Sequence, residues 1–372
     1  MSTPFVSFLC SAYRTEQYVP GLITSLLAQT DPDWELVIVD NGQSDEMAAV
    51  ISTFTHDPRV RMVRQENRGV IGGFARASDE ARGVYVSPLA SDDEVVPHYV
   101  ERMRDVLHQH PEAIGVGCDS YLFSDEHPDS YQRGLAQSME GKEVGPSGGW
   151  LSKLDLLDGR MPYYGGVFNR EAWNAIGGMS TEDDTVDEII RLYVMLLEIG
   201  PVFVIQDRLG RYRLRDDSHS RNDATVEAFG QRVLNSYHVF SAGATPEEQA
   251  AAQRMIRRLG YLHAIRRARR AFVNGDTRTA RAQARIAWEN QRTARAFAIL
   301  VLLYIAPPRL LASVHPWKRR FADWMLIHSP VDWIRMHINN GSHRAISGSE
   351  PGAATPDTAP VEEQRGLPPT SP

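Results

Sequence analysis

The sequence has little cysteine and almost no long apolar run, and each absence excludes a class of protein. Only Cys10 and Cys118 occur among 372 residues, too few for a disulfide framework or a thiolate metal site. The one long apolar run, Ala296 to Ala306, has about half the length that a membrane-spanning helix needs. The first residues, MSTPFVSF, lack the charged and apolar regions of a secretory signal. We therefore expect a cytoplasmic protein.

Two nucleotide-binding motifs are missing as well. No G-x-G-x-x-G follows the first predicted strand, and the chain contains no Walker A lysine motif, which counts against a dinucleotide-binding domain and against a P-loop. The formal net charge of -7 argues against a nucleic acid partner. That charge is unevenly distributed, because the segment from Arg254 to Arg295 contains twelve arginines and only two acidic residues.

What the sequence does contain is an alternation of short apolar runs with amphipathic segments. The runs predict buried strands, and the segments between them carry apolar residues at helical spacing. This alternation predicts an α/β fold in which helices flank a mostly parallel sheet. Ligands of such sheets bind outside the carboxyl ends of the strands. The predicted strands are 5–10, 34–39, 60–63, the first half of 84–96, and 113–118.

Polar residues follow four of these strands, in the loops 11–14, 40–45, 67–69 and 91–94. The last of these loops is Ser91, Asp92, Asp93 and Glu94. Carboxylates at the end of a strand suit Mg²⁺ or Mn²⁺, which prefer hard oxygen ligands and are commonly held by one or two carboxylates plus phosphate oxygens. The alternative is an acidic turn that begins the next helix, where acids are favoured by the helix dipole.

Four stretches of the chain resemble glycosyltransferase family 2, the enzymes of the GT-A fold. They begin with VSFLCSAYRTEQ through VIVDNGQSDE, continue with NRGVIGGFARA and GVYVSPLASDDEV, and end with IGGMSTEDDTVDEIIRLYVMLLEIGPV. Order and spacing agree over about residues 4–222. The resemblance implies an enzyme that transfers a sugar from a nucleoside diphosphate sugar, with inversion at the sugar carbon and a divalent metal on the diphosphate.

The resemblance also assigns residues to the donor. It implies that Asp92 and Asp93 hold the metal, either Mg²⁺ or Mn²⁺, although the first aspartate of the family's metal motif is replaced by Ala90. The basic segment 208–222 is predicted to fold over phosphates. The residues expected to bind the nucleotide sugar are Ala12, Tyr13, Arg14, Asp40, Asn67, Gly69, Ser91 and Asp92.

A later carboxylate of the family deprotonates the acceptor hydroxyl. This chain has Asp187-Glu188 where the family usually shows Glu-Asp, and Asp183-Asp184 stand slightly earlier. We expect Asp187 to be the base, with Glu188 as the alternative. Either residue could instead be a helix-terminal charge stabilised by the dipole.

The predicted organisation is a GT-A domain over 1–240, a basic helical region over 241–340 and a disordered tail over 341–372. The arginine-rich helices, with Trp317 and the basic residues after it, are compatible with an anionic membrane surface; the alternative is a soluble helical subdomain with solvated arginines. The acceptor is expected to be a glycan or a lipid-linked sugar, at the inner face of the cell membrane. Ala90 keeps open a second hypothesis, a catalytically silent protein that binds nucleotide sugar or glycan.

Overall fold

The apolar runs form the centre of one twisted sheet. The computed structural model describes residues 3–125, 134–136, 145, 149–162, 165–179, 185–215 and 225–305. Within them the strand β1 (Val6–Ala12) lies between β2 (Trp34–Asn41) and β4 (Tyr85–Pro88). Both neighbours are parallel to β1, with Val6 opposite Trp34 on one side and Tyr85 on the other. Every residue of β2 is buried, as expected for a parallel strand covered on both faces.

The strands of the described chain pair in the order β3-β2-β1-β4-β7-β6-β8-β5. β7 is antiparallel to both β4 and β6, so β6 and β8 run in the same direction as β1. The predicted α/β fold with a mainly parallel sheet is thus confirmed. The strands are β1 (Val6–Ala12), β2 (Trp34–Asn41), β3 (Val60–Gln65), β4 (Tyr85–Pro88), β5 (Glu94–Val95), β6 (Gly115–Phe123), β7 (Gly166–Asn169) and β8 (Val202–Arg213).

Two strands differ from the sequence-based expectation. β8 continues from Val202 to Arg213, so the first half of the predicted phosphate-binding segment is strand. The acidic stretch after Asp93 forms the two-residue strand β5, whose Glu94 lies opposite Arg211 of β8. Backbone pairing between distant segments decides both features, and local sequence periodicity does not report such pairing.

Helices cover both faces of the sheet. They begin with local signals that the sequence contains, such as Ser44, whose hydroxyl accepts a hydrogen bond from Met47 N at the start of α2. The helices are α1 (Val19–Leu27), α2 (Asp45–Ser52), α3 (Gly69–Glu80), α4 (Tyr99–Gln109), α5 (Lys153–Leu157), α6 (Arg170–Ala175), α7 (Glu188–Ile199), α8 (Val226–Phe240), α9 (Pro246–Val273), α10 (Thr277–Asn290) and α11 (Ala294–Ile305).

The alternating side chains of the central strands contribute to two cores. Phe8, Cys10 and Ile38 pack under α1, α2 and α4. Leu9 and Val37 point the other way, into a core shared with α3 and with α5 to α9. This division leaves the carboxyl ends of β1, β2 and β4, and the loops that follow them, at one edge of the sheet.

The C-terminal helices are attached in two different ways. Ala251, Met255 and Leu259 of α9 belong to the same core as Val37, whereas the remainder of α9 packs on α10 and α11 through small alanine-rich clusters. The predicted boundary at 240/241 falls at the end of α8 and stays a prediction. No helix in the described ranges combines the length and apolar character that crossing a bilayer requires. Residues 306–372, with Trp317 and the predicted tail, lie outside the described residues.

Candidate functional site

The loop after β1 presents an aromatic ring at the edge of the sheet. Ala12 is buried at the end of the strand, and Tyr13 next to it is 43% exposed. A Cβ atom on Gly42 would lie 3.0 Å from the Tyr13 ring, so the glycine lets the ring lie against the loop after β2. Arg14 has a positive φ of 55°, and its guanidinium lies 5.1 Å from the centre of the Tyr13 ring. The three residues predicted to line the base and ribose thus form a turn with an exposed flat surface.

The end of β2 organises the next two loops. Asp40 is buried, and its carboxylate accepts hydrogen bonds from Ser44 N at 3.1 Å and from Arg64 Nε at 2.9 Å. It therefore stabilises the start of α2 through one oxygen and binds an arginine of β3 through the other. The arginine is 36% exposed in its side chain, so a ligand can reach this ion pair from the Arg64 side.

Asn41 connects β2 to the loop that precedes α3. Its amide donates to Gly69 O at 2.7 Å and its carbonyl accepts from Arg68 N at 3.1 Å. Gly69 has a φ of 72°, and a Cβ atom there would meet nothing within 4 Å. Asn67 accepts a hydrogen bond from Gly69 N at 2.9 Å. Asn67 and Gly69, both predicted to contact the nucleotide, therefore form a tight polar turn with open space above it.

The acidic loop after β4 is linked to the loop after β1. Thr15 Oγ1 donates to Ser91 Oγ at 2.8 Å, and both residues are buried. Burial raises the pKa of Cys10 in β1 far above its usual range, and the charges of Asp92 and Asp93 raise it further. The acidic loop thus lies over the end of β1, and the Cys10 thiol stays protonated.

Arginines from the end of β8 meet this acidic loop. Arg215 Nε lies 3.1 Å from Asp92 Oδ2, with both side chains 16% exposed. The Arg213 backbone N–H donates to Asp93 Oδ1 at 2.7 Å, and the Arg213 Nε donates to the Asp92 carbonyl at 2.8 Å. Both guanidiniums also lie near the Tyr18 ring, at 5.1 Å for Arg213 and 4.8 Å for Arg215. The result is a cluster in which positive groups surround the predicted metal ligands.

The fit of this cluster to a divalent cation depends on Asp92. Ala90 offers no ligand, and Asp93 is 1% exposed with one oxygen already bound to a backbone N–H. No group of three His, Cys, Asp or Glu side chains suited to a metal exists in the part of the chain that the structure describes. Mg²⁺ can bind through one or two carboxylates when phosphates and waters complete its shell. The cluster therefore fits a metal that takes most of its ligands from a bound diphosphate.

The second acidic pair lies at the N-terminus of α7. Asp187 is 2% exposed and is the N-cap residue, whose Oδ1 accepts hydrogen bonds from Ile189 N and Ile190 N at 3.1 Å. Its backbone N–H donates to Ser236 Oγ of α8 at 2.8 Å. Burial, and next the neighbouring charge of Glu188, raise the pKa of Asp187 to about 6.

Glu188 is the more accessible member of this pair. Its side chain is 21% exposed and lies 3.7 Å from the Arg232 guanidinium of α8. Backbone N–H groups thus hold the Asp187 carboxylate in place, whereas the Glu188 carboxylate next to it has a longer contact, with Arg232. Asp183 and Asp184, the other carboxylates predicted near the acceptor, lie outside the described residues.

Three residues of the cluster were not identified as site residues from the sequence. Thr15, Arg213 and Arg215 come from a loop and from the end of β8, 76 or more residues from their partners in the acidic loop. The basic composition of 208–222 was the only sequence signal for the two arginines, and residues 216–222 of that segment lie outside the described residues.

The chain is similar in sequence to known glycosyltransferases and polysaccharide synthases. The model of the family named Glycosyl transferase family 2 matches residues 7–151. Chondroitin synthase of Escherichia coli is 27% identical over 202 residues, which are 53% of this chain and 27% of that protein. The succinoglycan biosynthesis protein ExoO of Rhizobium meliloti is 36% identical over 101 residues, 27% of this chain and 29% of that protein. The chain thus spans less than a third of the length of either relative.

A solved structure shows the same fold. The mannosyltransferase PcManGT of Pyrobaculum calidifontis, in complex with GDP-Man and Mn²⁺, superposes with a TM-score of 0.55 at 15% identity, over 85% of each chain. At this identity the likeness concerns the fold alone. The family match over residues 7–151 and the shared fold confirm the resemblance to glycosyltransferase family 2 that was found in the sequence.

Proposed function

We propose that this protein is an inverting glycosyltransferase that moves a sugar from a nucleoside diphosphate sugar to a hydroxyl group of a glycan or lipid-linked acceptor. Relatives named for chondroitin and succinoglycan synthesis support a role in making envelope polysaccharide. The observation that carries the proposal is the buried Asp187 at the start of α7, whose pKa is raised to about 6. A carboxylate of that kind is a suitable general base near neutral pH.

On the donor side, each loop offers a different kind of contact to the nucleotide sugar. The exposed Tyr13 ring offers a flat surface for a nucleobase, and Asp40 with its partner Arg64 offers hydrogen bonds to the base edge. Asn67 and Gly69, in the polar turn next to Asn41, are expected to contact the nucleotide. Arg215 and Arg213 reach the acidic loop from the opposite side, where a guanidinium can bind diphosphate oxygens in a bidentate manner.

Asp92, with Asp93 beside it, would hold the divalent metal. When bound, the metal stabilises negative charge on the departing diphosphate as a Lewis acid. In this site Ser91 fixes the loop through Thr15, and Asp92 lies 3.1 Å from Arg215. Arg215 would bind the diphosphate oxygens next to Asp92.

The reaction is a direct displacement. The acceptor hydroxyl loses its proton to a carboxylate at the start of α7 as its oxygen forms a bond to the anomeric carbon. The bond from that carbon to the diphosphate oxygen breaks on the opposite face, so the configuration inverts. Asp187 is the preferred base and Glu188 the alternative, because the first has the raised pKa and the second has the more exposed carboxylate.

The test begins with donor binding. A panel of UDP, GDP and other nucleoside diphosphate sugars is screened by thermal shift with Mn²⁺, since a ligand that binds only the folded state raises the unfolding midpoint. The donor that binds is then incubated with glycan and lipid-linked acceptors, and the product is analysed by mass spectrometry and by NMR of the anomeric proton. A product of inverted configuration supports the proposal. Binding without turnover across the acceptor panel favours the silent alternative that Ala90 suggests, and a product of retained configuration overturns the displacement mechanism.

A further inference from the structure

The last two described helices present a surface that the proposed reaction does not use. α10 and α11 form an antiparallel hairpin in which Trp288 and Phe297 lie 5.7 Å apart between ring centres. At the other end of the hairpin, the Arg281 guanidinium lies 4.6 Å from the centre of the Tyr304 ring, and Arg281 Nε donates to Leu303 O at 3.0 Å. These contacts fix which faces of the two helices adjoin.

Beside the buried alanines through which α10 packs, the helix carries a stripe of three arginines and Trp288. Residues 278, 281, 285 and 288 are spaced by three or four positions, so they share one side of the helix. Arg281 and Trp288 in this stripe contact α11, and Arg278 and Arg285 between and beside them are exposed. The arginine stripe therefore borders α11 along its length.

The adjoining face of α11 is apolar and open to solvent. Phe297 is 55% exposed and Tyr304 58%, although Ala296 and Leu303 are buried. Phe297 and Tyr304 are seven positions apart and so lie on one side of α11. Two large aromatic side chains are thus exposed on the side of α11 that is next to the guanidinium groups.

The charge of these two helices indicates which kind of partner the surface would bind. From Thr277 to Ile305 the sequence has five arginines and one acid, Glu289, in a chain whose net charge is -7. A protein of negative net charge that concentrates arginine beside exposed aromatic rings has the two elements of interfacial membrane binding, attraction to anionic lipid and insertion of apolar side chains. Tryptophan and tyrosine are the aromatic residues enriched at the level of the headgroups.

We propose that the α10–α11 face, defined by Arg278, Arg285, Trp288, Phe297 and Tyr304, docks on an anionic lipid bilayer. The arginines contact the phosphate headgroups, and the exposed side chains of α11 enter the boundary between headgroups and acyl chains. Docking would hold the enzyme at the surface where a lipid-linked acceptor is presented, but it rests on the helices alone and not on the proposed reaction.

Sedimentation with vesicles tests the proposal on the full chain. The protein is mixed with phosphatidylcholine vesicles that do or do not contain phosphatidylglycerol, at low and high salt. We expect sedimentation with the anionic vesicles only, weakened by salt. R278E with R285E should lower the partition coefficient by roughly tenfold or more, and F297S with Y304S should lower it on the same vesicles. The matched control is R82E with R257E, which makes the same charge change at two exposed arginines outside the face and should have a much smaller effect.

A fluorescence measurement tests the same docking without the double substitutions. Both native cysteines are buried, so Val301→Cys, four positions after Phe297 and three before Tyr304 on the same side of α11, can be labelled with an environment-sensitive dye. Thr53→Cys, at an exposed position at the end of α2, is the control. We expect the dye at 301 to brighten with anionic vesicles and the dye at 53 not to change.

Three results would overturn the proposal. The first is no sedimentation and no dye response with anionic vesicles. The second is binding that survives F297S with Y304S and is displaced by soluble polyphosphate, which would assign the arginines to an acidic polymer. The third is a homodimer that F297S with Y304S dissociates while vesicles have no effect, since the exposed aromatic residues would then pack on a second copy.

Discussion

The loop after β4 and the N-terminus of α7 each carry two consecutive acids, and the surroundings of the two pairs are opposite. Asp92 and Asp93 after β4 are met by Arg215 and by the backbone of Arg213. Asp187 and Glu188 at α7 are met by backbone N–H groups and by one guanidinium at 3.7 Å. The first pair thus lies next to positive charge. In the second pair, the negative charge of Glu188 makes ionisation of the buried Asp187 less favourable.

The difference teaches how one fold gives two roles to the same functional group. A carboxylate next to arginines lies where a metal and the diphosphate it carries can be bound together, because carboxylates hold the metal and guanidinium groups bind phosphate oxygens. A carboxyl whose pKa burial raises to about 6 can accept and release a proton near neutral pH. Four predictions test this contrast, from the largest expected effect to the smallest.

The largest effect should come from removing the base. Asp187→Asn is expected to lower kcat by about 10²–10⁴-fold, the range of general base catalysis, and Glu188→Gln is expected to have the smaller effect. Both are measured as steady-state transfer rates with the donor found by thermal shift. Full activity in both variants would contradict a base at the start of α7.

The asparagine variant has its own structural control. Asparagine and aspartate are about equally good N-cap residues, so Asp187→Asn should keep the hydrogen bonds to Ile189 N and Ile190 N. Its unfolding midpoint at pH 7 should not fall below that of the wild type. Asp187→Ala, in contrast, should also lose about 1 kcal/mol of stability with the cap.

The next effect is on stability as a function of pH. The pKa of Asp187 rises from 3.8 to about 6 on folding, so its contribution to stability is complete below the unfolded pKa and is lost as the pH rises through about 6. Asp187→Asn has no such loss. We therefore expect the variant to gain stability relative to wild type between pH 4 and 7, by up to about 3 kcal/mol since each pKa unit corresponds to about 1.4 kcal/mol. Urea titrations at several pH values measure this, and a difference that is constant or reversed would refute the assignment.

A smaller effect is expected from the other pair. Asp92→Asn should weaken Mn²⁺-dependent donor binding by about 10–100-fold, the usual cost of perturbing a metal site. Ala90→Asp restores the family's first aspartate and should lower the Mn²⁺ concentration needed for half-maximal activity. Calorimetry with donor and metal measures both. If Asp92→Asn binds the donor as tightly as wild type and needs no metal, the arginines alone hold the diphosphate.

The smallest effect concerns the link between the loops after β1 and β4. Thr15→Val removes the hydrogen bond to the buried Ser91 and should cost about 1–2 kcal/mol, because a buried hydroxyl loses its partner. Thr53→Val, which removes a similar bond to Val50 O at an exposed site, should cost less than about 0.5 kcal/mol. Equal losses in chemical denaturation would show that the Thr15 bond has no special role.

The sequence predicted the order of the strands and helices better than it predicted the contacts between distant residues. The apolar runs located β1 and β2 because both strands are buried on both faces, and Ser44 located the start of α2 because its capping bond is local. The end of β8 was missed, since Arg213 is in a strand only through its pairing with Phe123. Asp92 and Asp187 were both predicted as functional carboxylates, but no local pattern indicated that Asp92 would contact an arginine and that Asp187 would be buried.

What the sequence determined by itself was the alternation of strands and helices and the polar type of each strand-end loop, because periodicity, caps and loop residues act over a few positions. Only the tertiary structure decided which residues contact each acid: Arg215 contacts Asp92, Ser236 contacts Asp187, and Arg232 contacts Glu188. It also decided that the exposed aromatic residues of α11 lie next to the arginines of α10. These partners lie far apart in the chain or on separate helices, and burial and electrostatic interaction depend on distance in space, which local sequence patterns do not report.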